Sequence, residues 1–141
     1  MKQFSIRTYK QGLVIEQPHF YILNKGYNSG KPAHSPWVNS FVLSCNSQED
    51  ADYYYWLLFA IWSSDGFYSI RRGSVIEFVT LDCLKQVIRQ FASYYSLHPE
   101  ELSKAVKQLN MIQQLEDVTK DKLHTIKQMK HAIAKAFTSF S

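Results

Sequence analysis

The chain has 141 residues, of which 45% are hydrophobic and 15% aromatic, and its formal net charge is +4. This composition excludes a disordered chain, and the length fits one domain with a sizeable core. The longest apolar run, residues 53–62, is too short to span a bilayer. No apolar run follows Met1 to provide a signal peptide, so we expect a cytoplasmic protein without membrane contact.

The basic residues are concentrated at the two ends of the sequence. Residues 1–46 contain five lysines and arginines against one acid, Glu16, and residues 118–141 contain five lysines against one acid, Asp121. The stretch between them is net acidic. Two basic ends are compatible with nucleic acid or an acidic protein as a partner, although lysines on a solvated helix face are also ordinary.

Three segments of the N-terminal half have the pattern of β-strands. Residues 4–9 alternate apolar and polar side chains, and residues 20–23 form a short apolar run. Residues 37–44 alternate again, with Trp37, Phe41 and Leu43 on one face. We expect Trp37 to dock on the core.

The loop between the second and third strands is the first candidate binding site. It contains Gly26 and Gly30 but lacks the spacing of a phosphate-binding P-loop, and no helix follows it. Turn formation explains the glycines and prolines of this loop without any ligand. Four polar side chains in the loop could instead contact an anion: Lys25, Asn28, Ser29 and Lys31.

An aromatic helix follows the third strand. Ser47 is a suitable N-cap, the acids of the first turn complement the helix dipole, and the helix should run to about Trp62. Tyr53, Tyr54, Tyr55 and Trp56 could stack on nucleic-acid bases, but aromatic side chains at helical spacing favour core packing.

Residues 74–81 have the pattern of a buried fourth strand. Glu77 interrupts that apolar run, and we expect it to face solvent or to pair with Arg71 or Arg72. A catalytic role for Glu77 is disfavoured because no partner acid, histidine or metal set stands beside it in the sequence. Arg71 and Arg72 adjoin this strand and complete the candidate binding set.

The chain from Asp82 onwards has helical periodicity. Asp82 should cap one helix, and Pro99 should begin the next. The apolar stripe of residues 123–140 is long for a terminal segment. It predicts either an antiparallel hairpin with residues 102–115 or a dimer, because monomers rarely expose such a face. The spacing slips around residues 117–121, which leaves open whether one or two helices occupy this region.

The sequence contains no recognisable catalytic or metal-binding motif. His124 and His131 are seven residues apart, too far along a helix to share one ion, and Cys45 and Cys83 are not spaced as metal ligands. We therefore expect no metal and no cofactor, and two reduced thiols.

Four blocks occur in one order within residues 20–82: FYILNKGYNSGKP, PWVNSFV, YYWLLFAIW and GSVIEFV. Together they resemble a small family of uncharacterised proteins from Bacteroidota genomes. The resemblance implies a bacterial, intracellular protein. It implies no activity, cofactor or catalytic residue for this chain.

The predicted fold is α+β, with a largely antiparallel N-terminal sheet of about four strands on the aromatic helix and a helical C-terminal half. We expect one domain, with residues 1–98 holding the sheet and two helices and residues 99–141 forming a helical extension. The first functional hypothesis is a non-enzymatic binding module for nucleic acid or an acidic protein. The second is self-association through the C-terminal helices, and the third is an enzyme for a small phosphorylated ligand at residues 25–31.

Overall fold

The computed structural model describes residues 2–139 and has the expected α+β architecture. The strands are β1 (Phe4–Thr8), β2 (His19–Leu23), β3 (Pro32–Ala33) and β4 (Ser40–Cys45). The helices are α1 (Gln48–Ser63), α2 (Leu81–Leu97) and α3 (Pro99–Thr138). The chain divides into two compact units, Met1–Val106 and Lys107–Ser141. The single-domain organisation stays a prediction.

The four strands form one antiparallel sheet in the order β1-β4-β2-β3. β4 lies in the middle, where Leu43 is opposite Ile6 of β1 and Phe20 of β2. All six residues of β4 are buried. Ser40 tolerates this burial because its hydroxyl accepts a hydrogen bond from Trp37 N (2.9 Å) and donates one to Trp37 O (2.8 Å). The alternation of residues 4–9 and the apolar run of residues 20–23 predicted β1 and β2 correctly.

The fourth strand of the sheet is not the one that the sequence predicted. Residues 74–81 are not a buried strand, since the Val75 and Ile76 side chains are 93% and 62% exposed. Gly73 has a φ of 93°, which turns the chain back before any strand can extend. β3 takes the edge position. Pro32 can lie there because an edge strand pairs on one side only and so does not need every backbone N–H group as a hydrogen-bond donor.

β4 begins three residues later than predicted. Trp37 and Val38 precede the strand and are 64% and 92% exposed, so the prediction that Trp37 docks on the core is wrong. The pairing of β2 and β4 explains where the strand begins: its register ends at Leu23 opposite Ser40. Before Ser40 the pairing fades: Asn24 N still donates a hydrogen bond to Asn39 O (3.1 Å), but Trp37 and Val38 lie outside the register.

α1 forms as predicted and packs its aromatic face on the sheet. The Ser47 hydroxyl caps it by accepting a hydrogen bond from Asp50 N (3.1 Å). Tyr54 is fully buried, and its hydroxyl donates a hydrogen bond to Lys2 O (2.5 Å). Burial raises the pKa of the Tyr54 hydroxyl above its ordinary value, so this group stays a neutral donor. The core-packing interpretation of Tyr54 is confirmed.

α2 completes the core of the first unit. Its N-cap is Thr80, whose hydroxyl accepts from Cys83 N (3.3 Å), and not Asp82, which lies in the first turn. The sequence indicates Asp82 as the cap because residues 74–81 have the pattern of a strand that ends directly before it. The shared core includes Phe20, Leu43, Tyr54, Leu57, Leu58, Phe67, Leu84, Ile88 and Leu102.

α3 is one continuous helix of 40 residues that begins at Pro99, as predicted. Its continuity excludes the antiparallel hairpin between residues 102–115 and 123–140, because no turn interrupts the helix. Phe140, at the end of the predicted stripe, lies outside the described residues. In the second unit α3 exposes an apolar stripe at helical spacing.

Candidate functional site

The loop between β2 and β3 is closed by its own backbone hydrogen bonds. Gly30 N donates to Leu23 O at 2.7 Å, and Lys31 N donates to Asn28 O at 3.0 Å. Gly26 and Gly30 have φ angles of 89° and 94°, a region that glycine occupies without strain. These contacts give the loop the local turns that its sequence predicts.

A second loop, which turns at Gly73, pairs with the first. Arg72 and Phe78 exchange two backbone hydrogen bonds of 2.9 Å each. Phe78 also forms an antiparallel bridge with Lys25 of the first loop. No local pattern in the sequence indicates that Phe78 joins the two loops, although the Gly73–Ser74 pair is a signal for a tight turn.

This pairing brings Lys25 and Arg72 together. Side chains of residues directly opposite each other in antiparallel bridges lie on the same face. Lys25, Phe78 and Arg72 therefore lie side by side, with Phe78 in the middle. Each bridge separates Cα atoms by about 5 Å, so the Cα atoms of Lys25 and Arg72 are about 10 Å apart. Both residues are exposed, and we call them the cation pair.

Arg71 lies on the other side of this hairpin, because neighbouring residues of an extended segment alternate. Its Nη1 is 3.2 Å from Glu77 Oε2, and its guanidinium carbon is 6.0 Å from the centre of the Tyr27 ring. The Arg71 side chain is only 9% exposed, and its buried Nε has no hydrogen-bond partner in the described part of the chain. The expected pairing of Glu77 with Arg71 is confirmed.

Replacement of Glu77 by alanine should destabilise the protein by about 1–3 kcal/mol, because it leaves a largely buried guanidinium without its carboxylate. The matched control is Glu16→Ala, which removes an exposed acid and should change the free energy of unfolding by less than about 0.5 kcal/mol. Urea unfolding measures both. Equal losses in the two variants would mean that the Arg71–Glu77 pair contributes nothing specific.

The other three predicted binding residues have different environments. Ser29 is fully buried, and its hydroxyl has no partner within residues 2–139. The Lys31 ammonium lies 4.7 Å from the centre of a Trp62 ring and is partly buried. Asn28 is exposed. The structure thus joins Lys25 and Arg72 through Phe78 and gives each of these three side chains a different setting.

Asn28 lines a cleft of about 350 Å³ at the end of α1, with Tyr27, Trp62, Ser63, Asp65 and Arg71. Its volume is at the lower end of the range for ligand clefts, roughly 300–1,000 Å³. Lys25, Lys31 and Arg72 are not among its lining residues. Asp65 is the only acid in its lining, and the basic residue of the lining, Arg71, is already paired with Glu77. The third functional hypothesis, an enzyme for a phosphorylated ligand, therefore gains no support from this cleft.

The acidic, histidine and cysteine side chains do not cluster as metal ligands in the described part of the chain. Within residues 2–139, no group of three or more His, Cys, Asp or Glu side chains could hold a metal ion. Both ring nitrogens of His19 have hydrogen-bond partners, since Nδ1 lies 2.8 Å from Gln17 O and Nε2 lies 3.2 Å from the Tyr21 hydroxyl.

The two cysteines are in different environments. A hydrogen bond with the Thr80 side chain, supported by Arg72, lowers the pKa of the Cys83 thiol. Burial raises the pKa of the Cys45 thiol to about 11. Because the thiolate is the reactive form, a low pKa favours reaction near neutral pH and a high pKa opposes it.

We therefore expect iodoacetamide at about pH 8 to alkylate Cys83 in the native protein and Cys45 only after unfolding. Mass spectrometry of the intact chain should show one adduct in the native state and two in denaturant. In the control, Cys83→Ser, the native protein should take up none. A native Cys83→Ser chain that reacts as fast as the unmodified chain would contradict the assignment.

α3 carries the second candidate surface, an apolar stripe in the unit Lys107–Ser141. Successive helical residues are rotated by about 100°, which places its apolar side chains within one face of about 140°. Every one of them is at least half exposed. The α3 stripe consists of Met111, Ile112, Leu115, Val118, Leu123, Ile126, Met129, Ile133 and Phe137.

The lysines of α3 do not form the single basic stripe that a nucleic-acid interface would favour. Lys120 and Lys127 share a face, but Lys122 lies within the α3 stripe by the same rotation. Lys120 is already paired, since its ammonium lies 2.6 Å from Glu116 Oε1. That carboxylate raises the pKa of Lys120.

These observations define an α+β protein with one long amphipathic helix, and none of the helices described is long and apolar enough to cross a membrane. Residues 6–136 match the model of a family of unknown function (DUF6943), and the chain belongs to that family. No curated protein and no solved structure matches the chain. The expected membership of a family without an assigned activity is confirmed.

Proposed function

We propose that this protein is a non-enzymatic binding module that associates with a second copy of itself through α3. The observation that carries the proposal is the α3 stripe: nine apolar side chains, each at least half exposed, on one face of one helix. Soluble monomers rarely expose a contiguous apolar surface of this kind, and such surfaces mark interaction sites.

The length of α3 supports the same conclusion. Most helical stability in proteins comes from packing of an apolar face, because intrinsic propensity alone makes isolated helices marginal in water. The stripe begins at Met111 and runs to Phe137, about 39 Å along the helix axis. No second half of α3 folds back to cover the stripe, since the helix is unbroken from Pro99 to Thr138. A second α3 is a partner of matching length and chemistry.

The proposal places the protein inside a bacterial cell. This setting follows from the sequence resemblance to proteins of Bacteroidota genomes, with a cytoplasmic location as the corresponding environment. Association through a helix requires no cofactor and no catalytic group.

The test is the mass of the full chain in solution, measured by light scattering and by sedimentation equilibrium over a range of concentrations. We expect a species with twice the mass of one chain that dissociates on dilution. A single-chain mass at all concentrations would overturn the proposal.

A second candidate function, binding of nucleic acid, is favoured by the cation pair. Lys25 and Arg72 are both exposed and are held on one face by Phe78. The Tyr27 ring, two residues from Lys25, is 84% exposed and could stack on an unpaired base, although it contacts Arg71 on the other side of the hairpin. If an acidic protein is the partner instead, the same cations would serve it but Tyr27 would have no stacking role.

We expect Lys25→Glu with Arg72→Glu to abolish binding of oligonucleotides at about 50 mM salt, and binding by the unmodified chain to fall steeply towards about 200 mM as counterions are released. The matched control is Lys10→Glu with Arg89→Glu, which changes the net charge equally at two other exposed positions. Fluorescence polarisation with single- and double-stranded oligonucleotides measures both.

Equal loss in the two double variants would show that binding follows net charge and not the cation pair. No binding by the unmodified chain at the lower salt would remove nucleic acid as a partner.

A further inference from the structure

The α3 stripe repeats every eleven residues. Its central positions are spaced four, three and four residues apart, and each one recurs eleven residues later. Leu115 recurs as Ile126 and Phe137, and Val118 recurs as Met129. An eleven-residue repeat corresponds to about 3.67 residues per turn, which gives two paired helices a right-handed supercoil.

One position in this repeat is charged. Lys122 occupies the central position that Met111 and Ile133 fill one repeat earlier and later. In a parallel pair in register, Lys122 would face Lys122 of the second copy inside an apolar interface. Like charges that face each other in this way oppose association.

An antiparallel pair removes that conflict. If the pair is centred on His124, Lys122 faces Ile126 of the second copy. The same centre places Leu115 opposite Ile133 and Met111 opposite Phe137, whereas Val118 and Met129 face Lys130 and Thr119. The long lysine side chain can then extend to the edge of the interface while its methylene groups stay packed.

The distribution of charge along α3 favours the same orientation, with Glu116, Lys127 and Lys130 nearer the α3 stripe and Asp117 and Lys135 on the opposite face by helical rotation. Residues 127–135 carry three lysines and no acid, whereas residues 113–121 carry Glu116, Asp117 and Asp121 against Lys120 alone. An antiparallel pair centred on His124 lays each lysine-rich segment along an acidic segment of the second copy, and it does so twice by symmetry. A parallel pair lays like charges together.

We propose that two copies of the chain associate through α3 in an antiparallel, right-handed pair centred on His124. This inference rests on the proposed self-association and adds its orientation and register. The interface is isologous, so Leu115 of each copy contacts Ile133 of the other.

The test uses two full-length variants, Leu115→Cys and Ile133→Cys, both in a Cys83→Ser background, with Cys45 left in place because it is buried. Disulfides need Cα atoms within roughly 7 Å. In the antiparallel pair the two copies of residue 115 are separated by about 27 Å along the axis. Each variant oxidised alone should therefore stay uncrosslinked, and an equal mixture of the two, combined under reducing conditions and then oxidised, should give covalent dimers.

The possible outcomes separate the two proposals. A single-chain mass for the unmodified protein overturns self-association itself. A dimer in which Leu115→Cys crosslinks alone is parallel and overturns the orientation. A dimer that gives no crosslink in any combination overturns the register.

The unmodified chain supplies a second readout in case the cysteine variants associate poorly. Opposite charges across the antiparallel pair are screened by salt, so the dissociation constant should rise with sodium chloride concentration. A dissociation constant that falls with salt would indicate like charges across the interface and would overturn the antiparallel pair.

Discussion

A chain in which Ile126 and Ile133 are both replaced by aspartate is expected to be a monomer. The two isoleucines lie at the centre of the face of the α3 stripe by helical rotation and are 52% and 69% exposed in the single chain. Burial of an aliphatic side chain contributes about 1.5–3 kcal/mol, and a carboxylate at the same place would have to lose its water without a partner. The dissociation constant should rise at least about 100-fold, which corresponds to about 2.8 kcal/mol.

The matched control introduces the same charge change on the opposite face of α3. Asn110 and Gln128 are exposed and lie about 150° or more from the centre of the stripe by helical rotation. Asn110→Asp with Gln128→Asp should leave the dimer intact, as measured by sedimentation equilibrium. A monomer in both double variants would assign the effect to net charge, and a dimer in both would refute the stripe as the interface.

In the aspartate variant, the helix content should fall because association is lost. A helix whose apolar face is no longer packed depends on its intrinsic propensity alone, whereas most helical stability in proteins comes from packing of that face. Circular dichroism of the aspartate variant should therefore show less helix than the unmodified chain, whereas the control variant should not. Assembly and the folding of α3 are in this sense one equilibrium, linked through the concentration of the chain.

Local signals in the sequence were enough to predict much of the first unit. Alternation predicted β1, a short apolar run predicted β2, Ser47 predicted the start of α1, and Pro99 predicted the start of α3. Each of these depends on a few neighbouring residues. The prediction of a strand at residues 74–81 was wrong because a short apolar run has the same pattern in a buried strand and in an exposed loop. Only tertiary contacts distinguish the two.

The site was harder to predict for the same reason. Lys25 and Arg72 are 47 positions apart and are joined only by their bridges to Phe78, a contact with no periodic signature. Arg71 and Arg72 are neighbours with the same side chain, yet one is held inside by Glu77 and the other is exposed. Helical rotation, by contrast, is a local property, so the α3 stripe could be predicted from the sequence while its partner could not.

Substitution of Gly30 by alanine is expected to cause the largest loss of stability in the loop between β2 and β3. Gly30 has a φ of 94°, where an alanine costs about 1–2 kcal/mol of backbone strain. An added Cβ would also lie 2.7 Å from Cγ and 2.8 Å from Cε2 of Phe67, which is fully buried. Overpacking of this kind costs about 1–3 kcal/mol. The total loss should be about 2–5 kcal/mol, measured by urea unfolding.

Gly26→Ala is the matched control, because Gly26 lies in the same loop at a φ of 89° and a Cβ there meets nothing within 4 Å. It should show the strain alone, so the difference between the two variants isolates the clash with Phe67. A double-mutant cycle with Phe67→Leu, which shortens the opposing side chain, should recover part of the Gly30→Ala loss and none of the Gly26→Ala loss. Equal losses in Gly30→Ala and Gly26→Ala would show that Phe67 does not hold this loop against the core, and the position of the cation pair would then need another support.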